Sequence, residues 1–332
     1  MNHRTRPRVL VAHISPGAPP SFVQTDLEIL RQFCDVRSLF FGSWIDVPRL
    51  LYHIAGVDLV FCWFAWNQAF WGAKISRLLG KPCIIISGGF EVVAIHEIGY
   101  GGLIRPRSGR RVRLSFKMAT EILAISNSVR RDIVRLSGRT DVRMVPLGFE
   151  PAKHPFSDDK ELLAITVGSV TDSNLQRKGI LLFLEAAKGL PNVQFAVIGA
   201  IDASLKEKLQ SRLSPNVTLT GRVGNEELAS WMRRAKVYVQ LSAHEGFGSA
   251  VAEAMLAGCV PVVTSRGALP EVVGNEGLVV PWGDPDVARE SISRALQSPV
   301  EASYRCRERI TTEFSLDNRR RALFEVVQHA LG

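Results

Sequence analysis

The stretch Ser242-Ala-His-Glu-Gly-Phe-Gly-Ser-Ala-Val-Ala-Glu-Ala-Met-Leu-Ala-Gly258, followed by Cys-Val-Pro-Val-Val263, reads as a single folding unit. Before it, Val237–Leu241 has the composition of a strand. A loop with Gly246 and Gly248 follows, then a helix rich in Ala (250, 252, 254, 257) that runs to Gly258, then a second β-branched run. Strand, loop, helix and strand in succession is the repeat of a parallel sheet. The glycines let backbone N–H groups approach a ligand closely, and the helix start carries about half a positive charge. Together they suit a phosphate or diphosphate.

The same alternation extends in both directions. Strand candidates in the first half are 9–13, 36–40, 59–62, 83–87, 122–125 and 142–145; in the second half they are 163–167, 193–198, 217–219, 237–241, 260–263 and 278–280. Helical spacing of apolar residues separates them, as in 181–188, 225–234 and 287–296. Two such series in 332 residues predict an α/β protein of two doubly wound, Rossmann-like domains facing a cleft at the C-terminal ends of their strands. The joint Pro146-Leu-Gly-Phe-Glu-Pro151, before a polar stretch, sets the expected boundaries. They are an N-terminal domain over 1–150, a second over 151–315, and a closing helix over 316–332.

Composition is that of a globular chain, 46% hydrophobic and 22% charged. No run approaches the ~20 apolar residues of a membrane span. The basic N-terminus precedes a short apolar run that reads as a first strand and not a secretion signal. Five scattered cysteines without a CxxC suggest reduced thiols in a cytoplasmic protein, with neither a disulfide frame nor a zinc site. The net charge of +9 sits wholly in residues 1–150, densest at Arg105, Arg107, Arg110, Arg111, Arg113 and Lys117. A solvated helix face accounts for such a run; so does contact with an anionic partner, such as acidic lipid at the inner face of the membrane or a phosphorylated acceptor. No nucleic-acid-binding motif accompanies the charge, so no nucleic-acid partner is expected.

Glu245 and Glu253 bracket the glycine turn, one in the loop and one inside the helix if Gly248 starts it. That spacing suits opposite ends of a sugar–diphosphate–ribose ligand better than a close carboxylate pair. Gly168-Ser-Val-Thr-Asp-Ser-Asn-Leu-Gln-Arg-Lys-Gly179 follows the first strand of its half and opens a helix at Ile180, placing Arg177 and Lys178 where a diphosphate would be neutralised. Gly199 and Gly221-Arg222-Val223 end two further strands. A solvent-facing basic pair and ordinary loop glycines explain each of these features taken singly.

Taken in order, Gly168…Arg177-Lys-Gly179, Val197-Ile-Gly199, Gly221-Arg-Val223, Glu245-Gly-Phe-Gly248, Glu253-Ala-Met255, Gly258-x-Pro-Val-Val263 and Gly267-x-x-Pro-Glu-Val-Val273 resemble the C-terminal domain of GT-B retaining glycosyltransferases of family 4. Glu245 and Glu253 match that family's E-x7-E motif. The resemblance implies a GT-B fold whose closing helix crosses back to the first domain. It also implies a nucleoside-diphosphate sugar donor, UDP- or GDP-linked, a hydroxyl acceptor on a sugar or lipid, and no metal or other cofactor. By that resemblance Glu245, Lys178 and Arg177 are catalytic. Glu253 holds the donor ribose. Phe247, Gly248 and Ser249 present the loop and helix start to sugar and phosphate, and Gly168, Gly199, Gly221, Arg222 and Val223 line the nucleotide. Ser87-Gly-Gly-Phe-Glu91 and Glu97-Ile-Gly-Tyr-Gly-Gly102 resemble stretches of some members, making Gly88, Gly89, Glu91 and His96 acceptor-binding candidates. Ser169 stands where the family often carries Arg, and Arg177 is the cation that could replace it. The implied activity is glycosyl transfer with retention, in glycan or glycolipid synthesis. A nucleotide-sugar epimerase of the same architecture and a catalytically silent nucleotide-binding homologue fit the same pattern.

Overall fold

The computed structural model describes residues 6–210 and 213–332; Met1 to Thr5, the start of the basic N-terminal run, lie outside the described residues. The chain forms two compact units. The first runs to Gly148 and takes back Leu316–Gly332; the second is Phe149–Ser315.

The first unit alternates β1 (Arg8–His13), α1 (Ser21–Leu30), β2 (Asp35–Phe40), α2 (Val47–Ala55), β3 (Leu59–Trp63), α3 (Asn67–Leu78), β4 (Cys83–Ser87), α4 (Pro106–Met118), β5 (Glu121–Ala124), α5 (Asn127–Ser137) and β6 (Val142–Met144). All its strand pairs are parallel, in the order β2-β1-β3-β4-β5-β6. Helices cover both faces, so β3 and β4 bury every residue and read as unbroken apolar runs. The order reverses between β1 and β3. With right-handed crossovers this puts α1 on one face and α2 to α5, packed side by side, on the other.

The second unit continues with β7 (Glu161–Val167), α6 (Asp172–Arg177), α7 (Ile180–Lys188), β8 (Gln194–Ile198), α8 (Ala203–Gln210), β9 (Val217–Gly221), α9 (Asn225–Arg234), β10 (Ala235–Gln240), α10 (Ser249–Leu256), β11 (Val260–Thr264), α11 (Leu269–Val273), β12 (Leu278–Val280), α12 (Pro285–Leu296) and α13 (Glu301–Glu313). Its sheet is parallel in the order β12-β11-β10-β7-β8-β9. The order reverses between β7 and β10, which makes their C-terminal ends the switch point where such sheets take ligands. Strand alternation divides β10 and its continuation. Val237, Val239 and Leu241 join the core with Ile180, Phe183 and Ile292, while Tyr238, Gln240 and Ser242 bury polar groups on the opposite face.

The chain then returns to the first unit as α14 (Leu316–Leu331), which packs on α1. Arg319 in its first turn is buried and bonds both oxygens of buried Asp26, at 2.5 and 2.7 Å. The same guanidinium donates to the carbonyls of Val145 and Pro146, and the Trp63 indole N–H donates to Asp26 at 3.0 Å. Phe324 meets Phe33 edge-on, and His329 contacts Glu121.

Candidate active site

The loops after β7 and β10 meet at the switch point of the second sheet. Between β7 and α7 lies α6, a polar helix that the expected single helix start at Ile180 did not include. Asp-Ser-Asn-Leu-Gln-Arg has no apolar periodicity; Thr171 starts the helix by accepting the amide of Asn174 at 3.2 Å. Arg177 and Lys178 therefore sit at the turn between two helices, not at the first turn of one. Gly179, with φ of +69°, closes this turn: a Cβ there would lie 2.1 Å from the carbonyl oxygen of Leu241, so only glycine lets the turn rest on the end of β10. The Ala243 amide completes the contact by donating to the Arg177 carbonyl at 2.8 Å.

The turn delivers Lys178 to Glu245, with Nζ donating to Oε1 at 2.5 Å. The same oxygen accepts from the Ser242 hydroxyl at 2.9 Å and from the Gln240 amide at 3.3 Å. Gln240 also donates to Ser242 at 2.6 Å and accepts from the Tyr238 phenol at 2.8 Å, and Thr264 bonds the Ser242 carbonyl at 2.6 Å. These buried polar groups belong to one strand face and its neighbour, and they hold Glu245 by one oxygen. Tyr238, Gln240, Ser242 and Thr264 were not among the expected site residues. The alternation Tyr-x-Gln-x-Ser over 238–242 was their signal.

Burial opposes ionisation of Glu245, but the Lys178 ammonium, then Arg177 and the Ser242 hydroxyl, outweigh it and hold its pKa below the ordinary value. Burial draws the pKa of the neighbouring His244 down. Glu253, inside α10, behaves oppositely: burial pushes its pKa up to about 7, and its carboxylate has no hydrogen-bond partner among the described residues. The raised value means that the folded state resists ionising Glu253. The penalty is absent below 4.5, grows between 4.5 and 7, and is complete above 7. Glu253→Gln is thus expected to stabilise the protein at pH 8, by up to about 3 kcal/mol, and to change nothing at pH 4. Melting curves at the two pH values check this, and equal shifts at both would refute it.

The other expected donor residues take these places. Gly168 follows β7, with the Lys178 stem against it. Its amide donates to the Ile198 carbonyl at 2.9 Å, and the Gly199 amide donates to the Gly221 carbonyl at 3.1 Å, stitching the ends of β7, β8 and β9 together. Arg222 and Val223 continue from β9, two strands from the switch point. Arg177 bonds the Asn174 side chain at 3.0 and 2.6 Å, and Asn174 bonds the Ser169 carbonyl at 3.0 Å. The cation is thereby tied to the loop in which Ser169 replaces the family's Arg. Gly248, left-handed, precedes Ser249 at the start of α10. At the other end of α10, Lys160 and Arg307 bond the carbonyls of Ala257 and Leu256, complementing the negative pole of the helix.

Phe247 lies in the same loop. It is 4% exposed, and its ring packs on Phe149 and Phe314.

In the first unit Glu91 supports two loops. It is fully buried, and its Oε1 accepts the amides of Ala65 and Gly88, both at 3.2 Å. Burial pushes its pKa up against these donors. It braces the loops after β3 and β4. Gly88 is needed for packing: a Cβ there would lie 2.3 Å from the Phe64 ring. Gly89 is buried beside it, and His96 is exposed. Of the aromatic cluster, Phe61 and Trp63 are core; Phe64, Trp66, Phe70 and Trp71 are half-buried. Trp66, Phe90 and Tyr100 form a run of ring contacts, with centroids 5.9 and 5.0 Å apart.

Residues 161–298 match the family described as glycosyl transferases, group 1. The chain carries a group 1 glycosyltransferase domain. An uncharacterized glycosyltransferase of Methanocaldococcus jannaschii is 25% identical over 71% of this chain and 65% of its own length. The MMP α-(1→4)-mannosyltransferase of Mycolicibacterium hassiacum is 30% identical over 54% and 46%, and the phosphatidyl-myo-inositol mannosyltransferase of Mycobacterium tuberculosis 31% over 38% and 35%. This chain thus matches less than two thirds of the length of each of these relatives. Anabaena HepE in complex with UDP superposes with a TM-score of 0.79 over 97% of this chain and 100% of HepE, at 14% identity. Sucrose-phosphate synthase from Thermosynechococcus elongatus gives 0.78 over 98% and 99%, at 18% identity. The fold of this chain is therefore GT-B, with two Rossmann-like domains.

Proposed function

We propose that this group 1 glycosyltransferase moves a hexosyl unit from a UDP- or GDP-linked sugar to a hydroxyl acceptor, with retention of configuration and without a resident metal. The Lys178–Glu245 pair beside the start of α10 carries the reading, because it places a cation, a fixed carboxylate and a helix N-terminus at one switch point. The bond from the anomeric carbon to the donor phosphate breaks, and a bond to the acceptor oxygen forms on the same face. The acceptor proton passes to the leaving diphosphate. Lys178, Arg177 and the helix start stabilise the charge that grows there. Glu245 accepts from the donor sugar through its free-facing oxygen, and Glu253 in its ionised form accepts from the ribose hydroxyls. UDP is the nucleotide bound by HepE, and mannosyl transfer is what two relatives are named for. A thermal-shift comparison of UDP, GDP and ADP tests the donor. A nucleotide at about 100 times its Kd adds about 2.7 kcal/mol. Stabilisation by UDP or GDP over ADP is expected, and no shift with any of them would remove the donor reading.

The acceptor side is assigned to the first unit, with a lipid surface as partner. Helices α2 to α5 carry eleven Lys and Arg and a single acid, Asp132, and every one of those cations is exposed. The fold has thus sorted the charge excess onto one face. Beside it the 3-10 turn Trp44–Asp46 packs on α2 and presents Trp44 and Ile45 to solvent, 74% and 71% exposed. No helix among the described residues is long and apolar enough to cross a membrane. Cosedimentation with vesicles containing phosphatidylglycerol, and not with phosphatidylcholine alone, is expected. Changing Arg107, Arg110 and Arg113 together to Gln should weaken it roughly a hundredfold, at about 1 kcal/mol per charge. Equal binding to both vesicle types would sink the idea.

A further inference from the structure

Phe247, in the Glu245-Gly-Phe-Gly248 loop, is buried, and its two ring partners are unusual in where they lie. Phe149 is the first residue of the second unit, and Phe314 is the last but one before the chain leaves it. The segments around these residues, where the chain enters and exits, are joined to each other. The Phe149 amide donates to the Phe314 carbonyl at 2.9 Å, and Phe149 and Ser315 form a parallel bridge. Phe247 stacks on Phe149, with centroids 5.8 Å apart and rings inclined at 26°, and meets Phe314 edge-on at 5.3 Å and 89°. Arg309 lies 5.8 Å from the Phe314 centroid and donates to the carbonyls of Val272 and Glu271, both at 2.7 Å. On its other side the loop is anchored by the Ala268 amide, which donates to the Glu245 carbonyl at 2.9 Å. One loop backbone therefore carries Glu245 to Lys178 and Phe247 into the joined crossing segments.

We propose that Phe149 and Phe314 are positioning residues for the donor loop, acting through Phe247, and that nucleotide binding at the loop tightens the two crossing segments. The inference rests on the donor reading given above. A ring held between two aromatic partners has few ways to move, so ordering the Glu245–Gly248 backbone around a nucleotide restricts Phe247. Restricting Phe247 restricts the Phe149–Phe314 bridge in turn. A loop that reached the core through a flexible aliphatic side chain would pass on less of that restriction. Only closely fitted elements shift as units.

Amide hydrogen exchange on the full chain, with and without saturating UDP or GDP, tests it. Exchange at the Phe149 amide is expected to slow at least about fivefold with whichever nucleotide stabilises the protein. In Phe314→Leu, which keeps an apolar side chain but removes the ring edge, the slowing should fall below about twofold while nucleotide still protects the amides of 246–249. Phe149→Leu is the second variant should the first fail to fold. Undiminished slowing in either variant, or protection of 246–249 in the wild type with no change at Phe149, overturns the proposal. A wild type that responds to neither nucleotide fails the donor reading itself, which is a separate result.

Discussion

Arg319→Met is expected to destabilise the first unit by about 3–5 kcal/mol, the usual cost of removing one partner of a buried ion pair. Asp26 would be left buried with the Trp63 indole as its remaining side-chain donor. The carbonyls of Val145 and Pro146 would lose their shared cation. The double change Asp26→Leu with Arg319→Met removes both charges, so its cost should be smaller, about 1–3 kcal/mol, chiefly from the orphaned indole N–H. Urea unfolding midpoints decide between the outcomes: a single variant costing under 1 kcal/mol, or a double variant costing the sum of the two singles, contradicts the argument. The effect is large because of where Arg319 sits. It joins the segment that precedes the chain's exit from the first unit to the helix turn that follows its return, just as the Phe149–Phe314 bond joins the two crossings within the second unit. Each unit holds both of its crossing strands.

The strands were the most legible feature. Parallel strands covered by helices on both faces are apolar at nearly every position, and runs such as Cys83-Ile-Ile-Ile-Ser87 announce themselves without an alternation to decode. The same reading concealed the support of Glu245. Val237–Leu241 passed as one more buried run, although its even-numbered residues, Tyr238 and Gln240, bury polar groups that lead to the site. Helix α6 was missed because its start depends on a Thr171 cap and not on periodic apolar residues. Phe247 and Glu91 show a further limit. Motif position does not show how either side chain packs, which depends on distant partners, Phe149 and Phe314 for one and the Ala65 amide for the other. The closeness of Lys178, Glu245 and the start of α10 was easier to read, because Gly179 and Gly248 beside them allow the backbone to pack tightly and glycines are visible in a sequence.

Lys178→Ala should lower turnover roughly 10²–10³-fold, the range found when one preorganised donor to a developing anion is removed. The ammonium is engaged by Glu245 at 2.5 Å, so the lysine is held at the switch point. Its removal has a second consequence. Among the groups favouring ionised Glu245, Lys178 is the strongest; Arg177 and Ser242 remain in the variant, and burial still opposes them. The Glu245 pKa must therefore rise in Lys178→Ala, and if its carboxylate contacts the donor sugar, the acid limb of the pH–turnover profile moves upward with it. Lys178→Arg keeps the charge but changes the shape of the donor, so it should restore the acid limb more fully than it restores turnover. A profile unmoved in Lys178→Ala, with turnover lost, would mean that the lysine serves the diphosphate alone and that Glu245 does not titrate in the step being measured. Turnover retained within tenfold would remove Lys178 from the leaving-group role and leave Arg177, tied through Asn174 to the loop after β7, as the cation that acts there.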